Sequence, residues 1–275
     1  MVVTYRGIAM TIAGSDSGGG AGIEADLATF LHLRVFGTVA ITAVTAQNSL
    51  GVHEVYDIPA EVIGAQIRAV LTDFPVGAVK TGMLSRKETI SEVAEGIKVH
   101  RVAKLVVDPV MVAQSGDPLM FGAALDALKG ELLPLALIVT PNVPEAEKLS
   151  DMKITSMQDM KEAAKIIAEL GPKGVLIKGG HLEGPKVTDL FYHEGRFFVL
   201  EQDRIDTNDH HGTGCTLSAA IAAELAAGTD VFEAVKRAHD YTRLAIEYRF
   251  KGGKGYGCVG HVFDVEWLKN SDQSL

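Results

Sequence analysis

The chain has 275 residues, 47% of them hydrophobic and 22% charged, with a formal net charge of -9 and two cysteines. That profile fits a globular protein with a sizeable core. It excludes a disulfide framework and makes a reducing, cytoplasmic setting the expectation. It also argues against nucleic acid or an anionic membrane as partner, because both demand a basic surface to displace counterions.

From the N-terminus, the apolar run Ile8–Ala13 is far too short to span a bilayer and ends in Gly14-Ser15-Asp16 without the design of a signal peptide. It reads as a first strand. Further strands are predicted at Thr38–Val44, Val76–Lys80, Leu105–Asp108, Leu135–Thr140 and Val175–Lys178. Helical patterns fall at Ala25–Leu33, Val62–Leu71, Glu88–Ile97, Met160–Leu170, Thr216–Ala227 and Val231–Tyr248. This alternation predicts βαβ units and a buried, mostly parallel sheet. Thr188–Tyr192 and Phe197–Leu200 flank a polar turn and read as a hairpin. With no internal repeat or low-complexity linker, residues 1–275 are expected to form one domain.

In an open parallel sheet, ligands bind beyond the carboxyl ends of the strands. Here those ends run into A-G-S-D, V-T-A-Q-N, K-T-G-M, D-P-V-M, T-P-N-V-P-E and K-G-G-H. The glycines of Gly14–Gly22 let backbone amides approach a ligand at a helix start. No G-K-[ST] follows, so this is not a Walker A loop. Asp108 ends a Val-rich buried strand, where an unpaired carboxylate is expensive, so a role near a metal or a transferring phosphoryl group is expected. Asn142 and Glu145 can face one site, or equally cap a helix starting at Val143. Lys178 can neutralise phosphate or equally snorkel to solvent.

Gly212-Thr213-Gly214-Cys215 opens an alanine-rich helix, where free amides and the helix dipole predict an anion hole. The same field is expected to lower the pKa of Cys215, making it a base or a polar lid. His210 and His211 lack companions at zinc spacing. Gly255–Gly260 matches G-x-G-x-x-G but follows no strand, and too little chain remains for a βαβ unit, so it reads as a decoy.

Chained in this order from about Ile8 to His261, G-S-D-S-G-G-G-A-G-I-E-A-D, T-A-Q-N-S, K-T-G-M, D-P-V-M, T-P-N-V-P-E-A-E, K-G-G-H and H-G-T-G-C-T-L-S-A-A closely resemble the bacterial hydroxymethylpyrimidine/phosphomethylpyrimidine kinases of thiamine biosynthesis, members of the ribokinase-like superfamily. The resemblance implies a three-layer α/β/α sandwich, often a homodimer, that uses ATP and Mg2+ to phosphorylate 4-amino-5-hydroxymethyl-2-methylpyrimidine and then its monophosphate. By motif position, Gly14, Ala21, Asp26, Gln47, Met83 and Val110 line the pyrimidine site. Asn142, Glu145, Lys178, Thr207 and Thr213 lie along the nucleotide, with Glu145 and Asp108 near the metal. Cys215 approaches the substrate hydroxyl, beside the amides framed by Gly212 and Gly214. Gly18, Glu24, His210 and Cys258 depart from the usual pattern. The neighbouring alternatives are a pyridoxal kinase on the same scaffold and a non-catalytic sensor that kept the crevice.

Overall fold

The computed structural model describes residues 4–112, 120, 122–181 and 184–269. Its strands are β1 (Ile8–Asp16), β2 (Phe36–Asn48), β3 (Gly51–Asp57), β4 (Ala78–Thr81), β5 (Leu105–Val107), β6 (Ile138–Val139), β7 (Gly174–Ile177), β8 (Lys186–His193) and β9 (Arg196–Asp203). The helices are α1 (Gly22–His32), α2 (Ala60–Leu71), α3 (Lys87–Val99), α4 (Ala123–Ala127), α5 (Val143–Ser150), α6 (Met157–Glu169), α7 (Thr213–Ala226), α8 (Val231–Glu247) and α9 (Glu266–Lys269).

All of these strands join one sheet in the order β3-β2-β1-β4-β5-β6-β7-β8-β9. The pairs from β2 through β7 are parallel, while β3 at one edge and β8 and β9 at the other run antiparallel to their neighbours.

Side chains of a strand alternate between faces, and here the alternation feeds two cores. Ala9, Ala78, Val106, Ile138 and Leu176 pack with Phe30 of α1, Leu217 and Ile221 of α7 and Tyr241 of α8. Met10, Val79, Leu105, Val107, Val139 and Val175 pack with Ile63 and Ile67 of α2, Ile90 and Val93 of α3, Ala146 of α5 and Met160 and Ile167 of α6. The result is a three-layer α/β/α sandwich. A sheet buried on both faces explains why its central strands read as continuous apolar runs. Truncating Ile67, which is fully buried, to Ala is expected to cost about 2–5 kcal/mol through lost burial and the cavity left behind.

Strands β6 and β3 differ from expectation, and the short helices α4 and α9 have no predicted counterpart. The predicted strand Leu135–Thr140 shrinks to Ile138–Val139, because Leu133–Leu135 forms a 3-10 turn around Pro134, which has no amide to give a ladder. Strand β3 was not anticipated. Its sequence G-V-H-E-V-Y-D has no period-two apolar pattern, and it is held by antiparallel pairing along β2 at the exposed edge of the sheet.

The topology has one functional consequence. The carboxyl ends of the parallel strands deliver Asp16, Gly82, Asp108, Asn142 and Lys178 to one rim, where the amino ends of α1, α5 and α7 also lie.

Candidate active site

A cavity of about 740 Å3 opens at that rim. Gly14, Ala21, Gln47, Met83, Val110, Asp108, Asn142, Glu145, Lys178, Thr207, Gly212, Thr213, Gly214 and Cys215 all line it. Asp26 does not. It lies one turn inside α1 with no exposed surface, where it accepts hydrogen bonds from Lys80 Nζ at 2.9 and 2.8 Å and from Thr11 Oγ1 at 2.6 Å. The cavity is instead lined by Lys80. Asp26, expected along the pyrimidine site, is thus turned by α1 toward Lys80 and Thr11.

At one side of the cavity, the glycine loop is organised by two carboxylates. Asp16 accepts from the amides of Gly18, Gly20 and Ala21 and from His211 Nε2 at 3.2 Å. Burial opposes its ionisation, but the bonds from His211, Gly18 and Ala21 prevail and hold its pKa below the ordinary carboxylate range. An ionised Asp16 accepts only, so His211 Nε2 carries the hydrogen. Glu24, a departure from the usual family pattern, accepts from Ser15 Oγ at 2.6 Å and from the Asp16 amide at 2.8 Å, closing the loop onto the start of α1. Gln47 Nε2 lies 3.3 Å from His211 Nε2, and Gly14 leaves room for the Met83 methyl, which would stand 2.9 Å from a Cβ there.

At the other side, Asp108 Oδ1 is 3.1 Å from Lys178 Nζ and 3.3 Å from Thr140 Oγ1, and its Oδ2 is 3.3 Å from Ser218 Oγ. Asn142 and Glu145 form a capping box on α5: Asn142 Oδ1 accepts from the Glu145 amide at 2.9 Å and Glu145 Oε2 from the Asn142 amide at 2.8 Å. Capping and a place at the site are therefore both realised for this pair, since the capped residues also line the cavity. Burial pushes the Glu145 carboxyl up, against the opposing pull of Lys178.

Between the two sides stands α7, which starts at Thr213, three residues earlier than its apolar pattern suggests. Gly212 precedes it in the left-handed region (φ +86°), and a Cβ there would run into the Gly20 carbonyl, so only glycine fits. No side chain caps this helix, and the Thr213 hydroxyl turns back to the His210 carbonyl at 2.6 Å. The first-turn amides of Gly214 and Cys215 have no intrahelical partner, and both residues line the cavity, as an anion site requires.

At Cys215 burial works against one expectation. Burial pushes its thiol up to about 11, outweighing the Lys80 ammonium, whose effect is to lower it. The helix field that was to activate this thiol loses to desolvation. Burial thus favours the neutral thiol at Cys215.

Sequence reasoning placed the A-G-S-D and K-T-G-M segments at the crevice but gave Asp16 and Lys80 no role, and it gave none to His211 or Ser218. For Lys80 a signal existed: a lysine within a strand whose four residues are all buried must have a partner.

Comparison with known proteins agrees with this architecture. The sequence profile of the phosphomethylpyrimidine kinase family matches residues 16–260. The chain belongs to that family. It is 52% identical over 267 residues to a hydroxymethylpyrimidine/phosphomethylpyrimidine kinase of Rhizobium meliloti, covering 96% of this chain and 99% of the relative. A crystal structure of phosphomethylpyrimidine kinase from Clostridium difficile superimposes with a TM-score of 0.78 at 45% identity, covering 87% of this chain and 99% of that one. An ADP complex of Bacillus subtilis pyridoxal kinase does so with a TM-score of 0.87 at 40% identity, covering 93% and 97%. This member of the phosphomethylpyrimidine kinase family is accordingly a phosphotransferase with a ribokinase-like fold. Among its described residues no helix is long and apolar enough to cross a membrane.

Proposed function

We propose that this chain transfers the terminal phosphoryl group of ATP to the hydroxymethyl oxygen of 4-amino-5-hydroxymethyl-2-methylpyrimidine, and then a second one to the phosphate of the product. One observation carries the reading: the uncapped start of α7 meets Lys178 and Asp108 in the same cavity that holds Gln47 and Met83. A site for a transferring anion thus adjoins a pocket suited to a small heteroaromatic ring.

Phosphoryl transfer asks for positioning and charge stabilisation more than for covalent help. The amides of Gly214 and Cys215 would hold the moving phosphoryl group, and Lys178 the leaving diphosphate, with Asn142, Thr207 and Thr213 along the nucleotide. The acceptor oxygen bonds to phosphorus as the bond to ADP breaks, and ADP departs with the bonding pair. Cys215 would orient the acceptor hydroxyl by hydrogen bonding, and the proton leaves late, through the new phosphoryl group. The second acceptor makes a resting base unnecessary, because a phosphate monoester with its second pKa about 6 is largely ionised at neutral pH. One neutral thiol therefore suits both steps.

Two carboxylates, Asp108 and Glu145, suit Mg2+, which commonly uses one or two protein carboxylates together with substrate phosphates and water. The ion would neutralise charge on the phosphates when bound. Asp108 would offer Oδ2, whose protein contact is a hydroxyl at 3.3 Å.

The likeness to the Bacillus subtilis pyridoxal kinase favours pyridoxal phosphorylation as a second activity of the same cavity. A cytoplasmic location and a homodimer complete the proposal. The dimer is supported by edge strand β3, which leaves Val55 and Tyr56 exposed, and size-exclusion chromatography with light scattering tests it.

A coupled ADP-release assay with the pyrimidine, its monophosphate and pyridoxal tests the activity. ADP release with the first two is the expected result. Release with pyridoxal alone would transfer the assignment to pyridoxal, and release with none of them would leave the cavity a binding site.

A further inference from the structure

Lys80 and Asp26 form an ion pair in which neither side chain has exposed surface. Such a pair is a poor source of stability, since desolvating two charges costs as much as their attraction returns and apolar residues of similar volume serve the fold as well. Its geometry has a direction. Thr11 and Lys80 are register partners across β1 and β4, and both reach the Asp26 carboxylate, which has no place on the cavity wall. Lys80, although its side chain is fully buried, belongs to the cavity lining and Asp26 does not, so the lysine end of the pair is the one nearer the cavity. A Cβ on Gly82 would sit 2.9 Å from Lys80 Nζ and 2.9 Å from Ala13 Cβ, so glycine at 82 keeps the space beside the ammonium clear. Of the three hydrogens on Nζ, two are committed to the two oxygens of Asp26. Ala13, which also lines the cavity, borders this spot.

We infer that Lys80, fixed by Asp26, is a positioning residue of the transfer, presenting the positive end of a buried dipole beneath the acceptor oxygen and Cys215. The inference rests on the reading of the cavity as a kinase site. As the acceptor oxygen forms its bond to the terminal phosphorus, the bond from phosphorus to the bridging oxygen breaks, ADP takes the bonding pair, and the hydroxyl proton passes to solvent through the new phosphoryl group. Bonding to phosphorus makes the acceptor hydroxyl more acidic, and a fixed positive charge under the floor favours release of that proton, a demand made in the transition state and not in the bound ground state. Asp26 prevents the lysine from turning aside and keeps it charged.

The test is the neutral double variant Asp26→Asn/Lys80→Met, in which no charge is stranded. Its thermal midpoint is expected to stay at or above that of the parent protein, with KM for ATP and for the pyrimidine within about twofold, while kcat falls by about one to two decades. Parental kcat in the folded double variant overturns the inference, because a merely structural pair leaves turnover untouched. Should the double variant fail to fold, Gly82→Ala, which crowds Nζ while keeping both charges, is expected to lower kcat about tenfold with KM for ATP unchanged; full turnover there overturns the inference equally. The parent protein assayed alongside separates the two levels. Absence of transfer to the pyrimidine by the parent refutes the kinase reading, whereas parental transfer with an undiminished variant refutes only the role of Lys80.

Discussion

Lys178 Nζ stands 3.1 Å from Asp108 Oδ1, and a methyl placed on Gly214 would lie 3.3 Å from that ammonium and 3.6 Å from Asp108 Oδ2. An ammonium from the end of β7, a carboxylate following β5 and the first turn of α7 therefore meet at one point. Burial pulls Lys178 toward neutrality, but Asp108 and Glu145 outweigh it and raise its pKa. A raised lysine contributes stability that is complete below its unfolded value, near 10.4, and is lost only above it. Lys178→Met is expected to lower kcat/KM by about two to three decades, the effect of losing one preorganised charge partner. Steady-state kinetics checks this. Activity and thermal midpoint should show no limb from Lys178 below about pH 10, and a limb from this lysine near neutrality would mean that it is not the fixed charge holding the leaving diphosphate.

A thiol held at about 11 makes its own prediction. Its folded pKa lies above the unfolded value of about 8.5, so the folded state binds the extra proton between those values and stability falls as pH rises through that window. Alkylation of Cys215 by iodoacetamide should be slow at pH 7 and accelerate only toward about pH 11. Cys215→Ala should lower turnover strongly through loss of the hydrogen bond to the acceptor, with little change in ATP binding. Near-normal turnover would leave the sulfur without a part in the reaction.

Gln47 projects a primary amide into the acceptor side of the cavity, and its Nε2 lies 3.3 Å from the His211 ring. A primary amide can both donate to and accept from the edge of an aminopyrimidine. Gln47→Met is expected to lower kcat/KM for the pyrimidine more than for pyridoxal, by about one decade, the usual penalty for leaving a polar group unpaired. Competition between the two acceptors measures it directly. Equal losses on both would show that Gln47 does not read the difference between the rings.

How far the sequence foretold this site follows from what each signal depends on. The strands from β1 to β7 that form the parallel core were legible because burial on both faces makes them apolar throughout, and the polar residues at their carboxyl ends then had to converge. Gly212 and Gly214 were legible because a glycine turn before an alanine-rich helix has few other uses. Lys80 was not, because it was read as the last residue of an apolar run and its partner lies 54 positions away in sequence. A motif position carries no direction, whereas the turn of α1 does, and it buries Asp26 against Lys80 and Thr11. At Cys215 a helix start is visible in sequence, and the depth of burial that opposes its ionisation is not.

The G-x-G-x-x-G decoy, Gly255–Gly260, has a structural use that yields a last prediction. The Gly255 amide donates to Ser49 Oγ at 3.0 Å and the Tyr256 amide to the Ser49 carbonyl at 3.0 Å, while the Gly257 amide reaches Asp209 Oδ1 at 2.7 Å. The Val259 amide donates to the His211 carbonyl and the His211 amide to that of Gly257. The loop thus ties the β2–β3 hairpin, and with it Gln47, to the segment that opens α7. A Cβ on Gly255 would run into the Ser49 carbonyl, and because that obstacle is backbone, no rotamer change relieves it. Gly255→Ala should therefore shift the hairpin and raise KM for the pyrimidine about tenfold, equivalent to about 1.4 kcal/mol of lost binding. KM for ATP should hold, since Asn142 and Lys178 reach the cavity from strands at the other side of the sheet. An equal rise in both constants would mean that the loop supports the whole rim, and an unchanged pyrimidine KM would mean that Gln47 keeps its place without it.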